Sequence, residues 1–251
     1  MIQNIAHRGA SAYEPENTLR AFELALAMDA TIIEVDIQLS ADGHPVVIHD
    51  SQLSRTTDGQ GRITDLMLSD LRRLDAGKGE QIPTFTEAIE CVRGRAQLYI
   101  ELKDPFSTEP VIHALQSTDF VDHAIVASFL PWLPQKAKFL EPRLRTSMLV
   151  RMEDRSNDYI SWALSIEADY VHPSWEKALA HPHALVPPDL IASIRNRGSG
   201  IILWHEERLE ELKELVKLDV DGICTNTPDV LATILKTKPC NKDLNEYGNR
   251  L

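Results

Sequence analysis

Two acidic side chains stand in an otherwise apolar segment near the start of the chain. Glu34 and Asp36 alternate with Ile33, Val35 and Ile37. Residues i and i+2 of a strand point to the same face, roughly 7 Å apart, so the two carboxylates project together. Two like charges in an apolar wall raise a pKa or destabilise the fold, whereas a divalent cation that prefers oxygen ligands makes the pair favourable. The segment therefore predicts half of a metal site, with a solvated strand face as the alternative.

Other residues that can do chemistry stand where further apolar segments end. Each of these segments has a pattern typical of a strand, and the residues at their ends are His7 with Arg8, Glu101 with Lys103, and Trp204 with His205. In a barrel of parallel strands the C-terminal ends of the strands lie on one rim. This convergence favours a metal site over the solvated-face alternative for Glu34 and Asp36.

The residue types on this predicted rim indicate a phosphate site. Carboxylates from Glu34, Asp36 and Glu101 form an all-oxygen ligand set suited to one Mg²⁺ or Ca²⁺ ion rather than to zinc. Arg8 and Lys103 would add positive charge beside the cation, and an arginine side chain matches phosphate oxygens. For either basic residue, an ion pair with the same acids is the alternative.

His7 and His49 would supply the two groups that phosphoester cleavage requires. One group takes a proton from the nucleophile and another gives a proton to the leaving alkoxide. Imidazole does both near neutral pH. The residues leave open which histidine is the acid and which is the base.

The elements that must position these residues alternate between strand and helix patterns. Strands are predicted at 2–7, 31–38, 97–103, 124–129, 144–150, 168–172, 200–205 and 220–225. The first helix is predicted from residue 19 onward, after a cap at Asn17-Thr18. Further helices are predicted at 84–92, 109–117, 131–140, 156–166, 188–197, 206–218 and 228–236. The helix at 84–92 begins with a capping box of Thr84 and Glu87. Eight strands alternating with helices over about 250 residues predict an α/β fold, the (β/α)8 TIM barrel. The alternative is a doubly wound sheet. The chain has no GxGxxG segment after its first strand, which disfavours that fold.

One further apolar run, at 45–49, follows the second strand after a short turn. The turn is short enough that this run must return antiparallel to the second strand. We therefore predict a hairpin arm that brings His49 near the carboxylates. Residues 40–83 would then be a small inserted hairpin and loop segment after strand 2, within a single domain spanning residues 1–251.

Composition and charge restrict the partners and the compartment. The net charge of −12 argues against nucleic-acid binding and anionic membranes, both of which need a basic surface. The three cysteines are scattered and predict neither a disulfide framework nor a zinc knuckle. No signal-peptide pattern precedes the first strand, and no apolar run approaches the length of a membrane span. The expectation is a soluble cytoplasmic protein, with the oligomeric state, a homo-oligomer included, left open.

A set of short segments carries a family resemblance. They are His7-Arg8-Gly9, Pro15-Glu-Asn-Thr18, Glu34-x-Asp36, Asp42-Gly43, Pro45-Val-Val-x-His49-Asp50, Arg55-Thr-Thr57, Ile82-Pro-Thr-Phe85, Glu101-x-Lys103 and Asp221-Gly222 with Thr225-Asn226. Together they resemble the signature of the glycerophosphodiester phosphodiesterase family from Ile5 to about Val230. The combination is far more specific than any single segment.

This resemblance implies a fold, a reaction and a set of residue roles. The fold would be a barrel with an inserted segment after the second strand. The reaction would be hydrolysis of glycerophosphodiesters, which are small molecules, to an alcohol and sn-glycerol 3-phosphate. The roles would be a metal held by Glu34, Asp36 and Glu101, acid–base catalysis by His7 and His49, and phosphate contacts from Arg8 and Lys103. Compact, leaderless members of the family resemble this chain in being cytosolic, and whether the glycerol hydroxyl or water attacks phosphorus stays open.

The chain departs from the family pattern after Trp204. The family commonly has Thr, an apolar residue and Asn where this chain has His205, Glu206 and Glu207. Trp204 still fits a wall against the glycerol or alcohol end of the substrate. We interpret the two glutamates as residues of the first turn of a helix, where acids are favourable to the helix dipole.

Histidines in a proline-rich stretch, His181-Pro-His183, have a spacing seen in metal sites. No acidic or thiol partner stands near them in the sequence. A solvated loop is therefore the preferred interpretation of these two residues.

Two other functions stay open on the sequence alone. A phospholipase-type phosphodiesterase acting on a lipid would need an apolar or basic membrane-facing rim, which the acidic balance disfavours. A non-catalytic, metal-dependent phosphate-binding module would have no need of both His7 and His49.

Overall fold

The structure is a computed structural model that describes residues 1–151, 165–175 and 181–237. The strands in these ranges are β1 (Gln3–His7), β2 (Ile32–Leu39), β3 (Pro45–Val47), β4 (Gln97–Leu102), β5 (Ala124–Ser128), β6 (Arg145–Arg151), β7 (Tyr170–Ser174), β8 (Gly200–Leu203) and β9 (Gly222–Thr225). The α-helices are α1 (Leu19–Ala27), α2 (Leu68–Leu71), α3 (Phe85–Val92), α4 (Thr108–Ser117), α5 (Trp132–Leu140), α6 (Pro188–Arg195), α7 (Leu209–Leu215) and α8 (Pro228–Thr237). Within the described ranges, every helix is too short or too polar to cross a bilayer.

All strands except β3 form a closed parallel barrel. The order around the barrel is β1, β9, β8, β7, β6, β5, β4 and β2, and pairing between β1 and β2 completes the circle. β3 runs antiparallel to the end of β2, with Ile37 opposite Val47. The predicted α/β TIM barrel and the hairpin arm are confirmed. The helix predicted at 156–166 lies outside the described residues.

Apolar residues pack in two layers, one on each side of the barrel wall. Ile33, Val35 and Ile37 of β2 face outward and pack in a cluster with residues of the surrounding helices. Inside the barrel, Ile5 of β1 and Ile32 of β2 are buried with residues of the opposite strands. Because successive residues of a strand point to opposite faces, Glu34 and Asp36 follow Ile32 into the interior.

The insertion after β2 has an apolar cluster of its own and is tied to α3. Its buried residues include Val46, Ile48, Leu53, Ile63 and Leu71. The Arg72 guanidinium donates to both carboxylate oxygens of Glu87 on α3, at 2.7 and 2.8 Å. Thr84 and Glu87 form the predicted capping box at the start of α3.

The helix predicted at 206–218 is shorter in the structure, and Glu206 has a different role from the one expected. The helix begins at Leu209, so Glu206 and Glu207 lie before it. One carboxylate oxygen of Glu206 accepts hydrogen bonds from the backbone N–H groups of Glu207 at 3.0 Å and Arg208 at 2.8 Å. Glu206 therefore holds the loop that leads into α7, and the interpretation as first-turn acids was wrong.

Candidate active site

The register of three neighbouring strands brings the predicted metal ligands together. His7 of β1 lies beside Glu34 of β2, and Asp36 of β2 lies beside Glu101 of β4. Oxygen atoms of the three carboxylates lie within 4.8 Å of one another. All three acids are at most 2% exposed, so the group is enclosed by the C-terminal ends of the barrel strands.

The carboxylate group fits a hard divalent cation. Glu34 Oε1 and Glu101 Oε2 are buried and have no hydrogen-bond partner among the described residues. Burial raises the pKa of Glu34 well above its ordinary value, and burial raises the pKa of Glu101 to about 7. Buried carboxylates without partners are costly, and Mg²⁺ and Ca²⁺ take oxygen ligands of this kind. The donor set therefore suits either ion.

Both predicted phosphate contacts lie against this group. Lys103 Nζ is 2.5 Å from Glu101 Oε1 and 3.2 Å from Asp36 Oδ1. Arg8 Nε is 3.0 Å from Asp36 Oδ2. Three carboxylates thus face two cationic side chains, which leaves an excess of negative charge when all are ionised. A further cationic group, beyond Arg8 and Lys103, is needed to balance this charge before an anionic substrate can approach.

The turn after β1 orients Arg8 and is held by close packing. Arg8 has φ of 57°, and its backbone N–H donates to Glu34 Oε2 at 2.9 Å. Gly9 follows with φ of 80°, and a Cβ there would lie 2.7 Å from the backbone of Ala21 on α1. Only glycine fits this position, since L side chains rarely adopt such a φ. Asn17 completes the turn by donating to Asp36 Oδ2 at 2.8 Å.

His7 is buried and its tautomer is set by Asn226. Its Nδ1 lies 2.7 Å from Asn226 Oδ1, and Ser11 Oγ donates to the same oxygen. Since that oxygen only accepts, Nδ1 carries the proton and Nε2 keeps its lone pair. Burial lowers the pKa of His7 well below its ordinary value, so the ring is neutral. His205 stacks on it, with ring centroids 4.6 Å apart.

His49 lines the same pocket, at the end of the hairpin arm. Its Nδ1 is 2.5 Å from Asp50 Oδ1, which again leaves Nε2 as the ring nitrogen with a lone pair. Asp50 accepts from Arg55 Nε at 2.5 Å, and this bond is the largest cause that lowers the pKa of Asp50 to about 2. Arg55 and Arg8 both bind Glu16. A chain of ion pairs therefore joins the arm to the turn after β1.

A pocket of about 770 Å³ opens above these groups. Its lining includes His7, His49, Lys103 and Trp204. The Trp204 ring lies 5.2 Å from the His7 ring and 5.7 Å from the Phe129 ring, centroid to centroid. Trp204 thus forms an aromatic wall beside His7, and its contact with the glycerol or alcohol end of a substrate stays a prediction.

Four residues at the site received no role from sequence reasoning beyond helix capping or membership of a motif. They are Asn17, Asp50, Arg55 and Asn226. Each stands in one of the short segments that carry the family resemblance, which is the signal that could have found them. Apart from Asp50 beside its neighbour His49, their contacts join residues that are 5 to 219 positions apart, and only the fold reveals these pairs.

The sequence matches the model of the glycerophosphoryl diester phosphodiesterase family over residues 7–230. A glycerophosphodiester phosphodiesterase from Caldanaerobacter subterraneus subsp. tengcongensis is 33% identical over 245 residues, covering 92% of this chain and 97% of the relative.

Solved structures with the same fold are also similar to this chain. A glycerophosphodiester phosphodiesterase from Agrobacterium tumefaciens superposes with a TM-score of 0.79 at 30% identity, covering 93% of this chain and 100% of that one. A phosphodiesterase from Oleispira antarctica, solved in complex with the product sn-glycerol-3-phosphate, has a TM-score of 0.82 at 26% identity and covers 94% of this chain and 97% of that one.

Proposed function

The chain belongs to the glycerophosphoryl diester phosphodiesterase family and is an enzyme, and we propose that it hydrolyses glycerophosphodiesters to an alcohol and sn-glycerol 3-phosphate in a metal-dependent reaction. One observation carries the proposal: three buried carboxylates lie beside two histidines whose Nδ1 atoms are already engaged, at one pocket. The product bound to the related Oleispira antarctica enzyme supports the same substrate class. Family membership argues against the non-catalytic binding module.

Glu34, Asp36 and Glu101 are the residues that would hold one Mg²⁺ or Ca²⁺ ion. A divalent cation bound there would stabilise the negative charge that develops on the phosphoryl oxygens. With a cation bound to the three carboxylates, Arg8 and Lys103 would pair less strongly with these acids and could contact the phosphate. Their side chains are 13% and 17% exposed, and both line the pocket.

His7 and His49 would move the protons. The reaction breaks the bond between phosphorus and the oxygen of the leaving alcohol. One histidine accepts, on the lone pair of Nε2, the proton of the attacking glycerol hydroxyl group or water, and the other, which enters this step protonated at Nε2, gives that proton to the leaving alkoxide. The contacts of Nδ1 with Asn226 and Asp50 hold each ring so that Nε2 is the nitrogen left for this transfer. Trp204 would pack against the glycerol or alcohol end of the substrate.

The first test measures release of sn-glycerol 3-phosphate from a panel of glycerophosphodiesters by EDTA-treated protein. We expect no release without metal and restored release with Mg²⁺ or Ca²⁺. Glu34→Gln should stay inactive with either ion, because it removes a ligand charge from the buried site. Glu90→Gln is the matched control, since Glu90 is an exposed residue of α3. Full activity of EDTA-treated protein would contradict metal dependence.

A second test separates the roles of the histidines from folding. His7→Ala and His49→Ala should each lower kcat by roughly 10²- to 10⁴-fold, the usual contribution of a general acid or base. His113→Ala, at an exposed position of α4, should match the unsubstituted enzyme. Far-UV circular dichroism checks that each variant is folded. Normal kcat in either of the first two variants would overturn the assigned role.

Exposed apolar side chains keep a lipid-like substrate as the second candidate. Phe106, between β4 and α4, is 76% exposed, and Leu130 and Trp132, after β5, are 40% and 45% exposed. Leu130 also lines the pocket. The substrate panel should therefore include a lysophospholipid in vesicles. Product release from the vesicles alone would favour a lipid as the substrate.

The single domain over residues 1–251 and the cytoplasmic location stay predictions.

A further inference from the structure

Two histidines and a glutamate converge at a second point, away from the acidic group. A short 3₁₀ turn, Pro182–Leu185, follows β7; His181 precedes it, His183 lies within it, and Glu211 lies on α7. Glu211 Oε1 is 3.2 Å from His181 Nδ1, and Glu211 Oε2 is 2.7 Å from His183 Nδ1. The acidic partner that the sequence lacked near these histidines is thus supplied by α7, beyond α6 and β8 in the chain.

The ligand atoms are placed and exposed as in an accessible metal site. One nitrogen or oxygen atom from each residue lies within 4.8 Å of the others. The Glu211 side chain is 9% exposed, whereas those of His183 and His181 are 32% and 73% exposed. The carboxylate therefore lies on the buried side of the group, and the imidazoles lie on the side that faces solvent.

The spacing suits an ion bound by nitrogen and oxygen. Zinc binds histidine nitrogen and carboxylate oxygen at about 2.0–2.2 Å in tetrahedral geometry, which puts neighbouring ligand atoms roughly 3.3 Å apart. The two nitrogen–oxygen distances at Glu211, 3.2 Å to His181 and 2.7 Å to His183, are both within about 1 Å of this value. Two histidines and one glutamate are also a recognised zinc ligand set, with water in the fourth position.

The backbone that carries these ligands is fixed by packing. Pro182, between the two histidines, is buried. Val186, just after the turn, is fully buried in a cluster that also contains Leu212 and Leu215 of α7. The turn and the helix are therefore held together without a metal, and the ligands do not have to be gathered from a flexible segment.

We propose that His181, His183 and Glu211 form a second metal site, which takes a borderline divalent cation such as Zn²⁺ and clamps the turn after β7 to α7. Its nitrogen-rich ligand set differs from the all-oxygen set of Glu34, Asp36 and Glu101, so the two sites select different ions. Glu211 stands in the first turn of α7, just after the loop from Trp204 to Arg208, so the clamp would stabilise that side of the pocket.

Zinc titration in the presence of excess Mg²⁺ tests the proposal. Mg²⁺ competes for the all-oxygen site and leaves the nitrogen-rich site to Zn²⁺. Isothermal titration calorimetry of EDTA-treated, full-length protein should detect Zn²⁺ binding. In His183→Ala and in the double variant His181→Ala/His183→Ala the Zn²⁺ affinity should fall at least tenfold, about the minimum cost of disturbing a metal ligand set.

Two controls make the result specific. His113→Ala removes an exposed histidine elsewhere and should bind Zn²⁺ as the unsubstituted chain does. Glu34→Gln should also keep this binding, because it changes only the all-oxygen site. Zn²⁺ should raise the thermal midpoint of the unsubstituted chain and of both controls, but not that of the double variant. No Zn²⁺ binding by the unsubstituted chain, or an identical isotherm for the double variant, would overturn the proposal.

Discussion

At the scale of single residues, the two pocket histidines are held in the same way by different partners. His7 donates from Nδ1 to the neutral amide of Asn226, whereas His49 donates to the carboxylate of Asp50. A neighbouring carboxylate stabilises the protonated form of an imidazole more than an amide does. Side-chain hydrogen bonding by Asp50 acts in this direction, although burial is the largest effect and lowers the pKa of His49. The two rings are therefore not equivalent as proton carriers.

Asp50→Asn tests whether this carboxylate positions His49. Asparagine keeps an oxygen that accepts from Nδ1 but removes the charge and weakens the bond from Arg55. We expect kcat to fall roughly 10- to 100-fold, as for other residues that orient a functional imidazole, with little change in KM. Asp65→Asn, an exposed change in the same insertion, is the control. Equal kcat values for the two variants would show that Asp50 has no such role.

At the scale of elements, local signals predicted starts of helices well and pairs between elements poorly. Thr18 and Thr84 were expected to cap helices and do so, because a cap depends on residues three positions apart. The pairing of His183 with Glu211 spans 28 positions, and no periodicity reports it. Lys103 was expected to contact phosphate, yet it also pairs with two of the acids, the alternative that its position left open.

The capping box of α3 gives a prediction at this scale. Glu87 N donates to Thr84 Oγ1 at 3.2 Å, and Thr84 N donates to a Glu87 carboxylate oxygen at 2.8 Å. Thr84→Ala removes the first bond and should lower the free energy of unfolding by about 1 kcal/mol. Thr84→Ser keeps the hydroxyl group and should lose much less. Urea unfolding measures both, and an equal loss in the two variants would contradict the capping role.

At the scale of the whole molecule, alternation of strand and helix patterns was enough to predict the barrel. Each strand and its following helix form a local unit, and eight such units have few ways to pack. The chemistry inside the barrel was less predictable. His172 of β7 is 1% exposed, and its Nδ1 lies 2.6 Å from the Tyr99 hydroxyl group of β4 across the interior. The sequence does not show which strands face each other across a closed barrel.

This buried histidine makes stability depend on pH. Burial lowers the pKa of His172 from 6.5 to about 3, so on acidification the unfolded chain takes up the proton before the folded one does. The free energy of unfolding should therefore fall as the pH drops from about 6.5 toward 3, by up to about 1.4 kcal/mol per pH unit from this residue. His172→Gln keeps a polar partner for Tyr99 but does not titrate. Urea unfolding of EDTA-treated protein at pH 7, 6 and 5 measures the free energy of unfolding of the original chain and of the variant. Because all other groups titrate alike in both proteins, the difference between the two free energies should shrink as the pH falls. A difference that stays constant over this range would mean that His172 remains able to take up a proton inside the barrel.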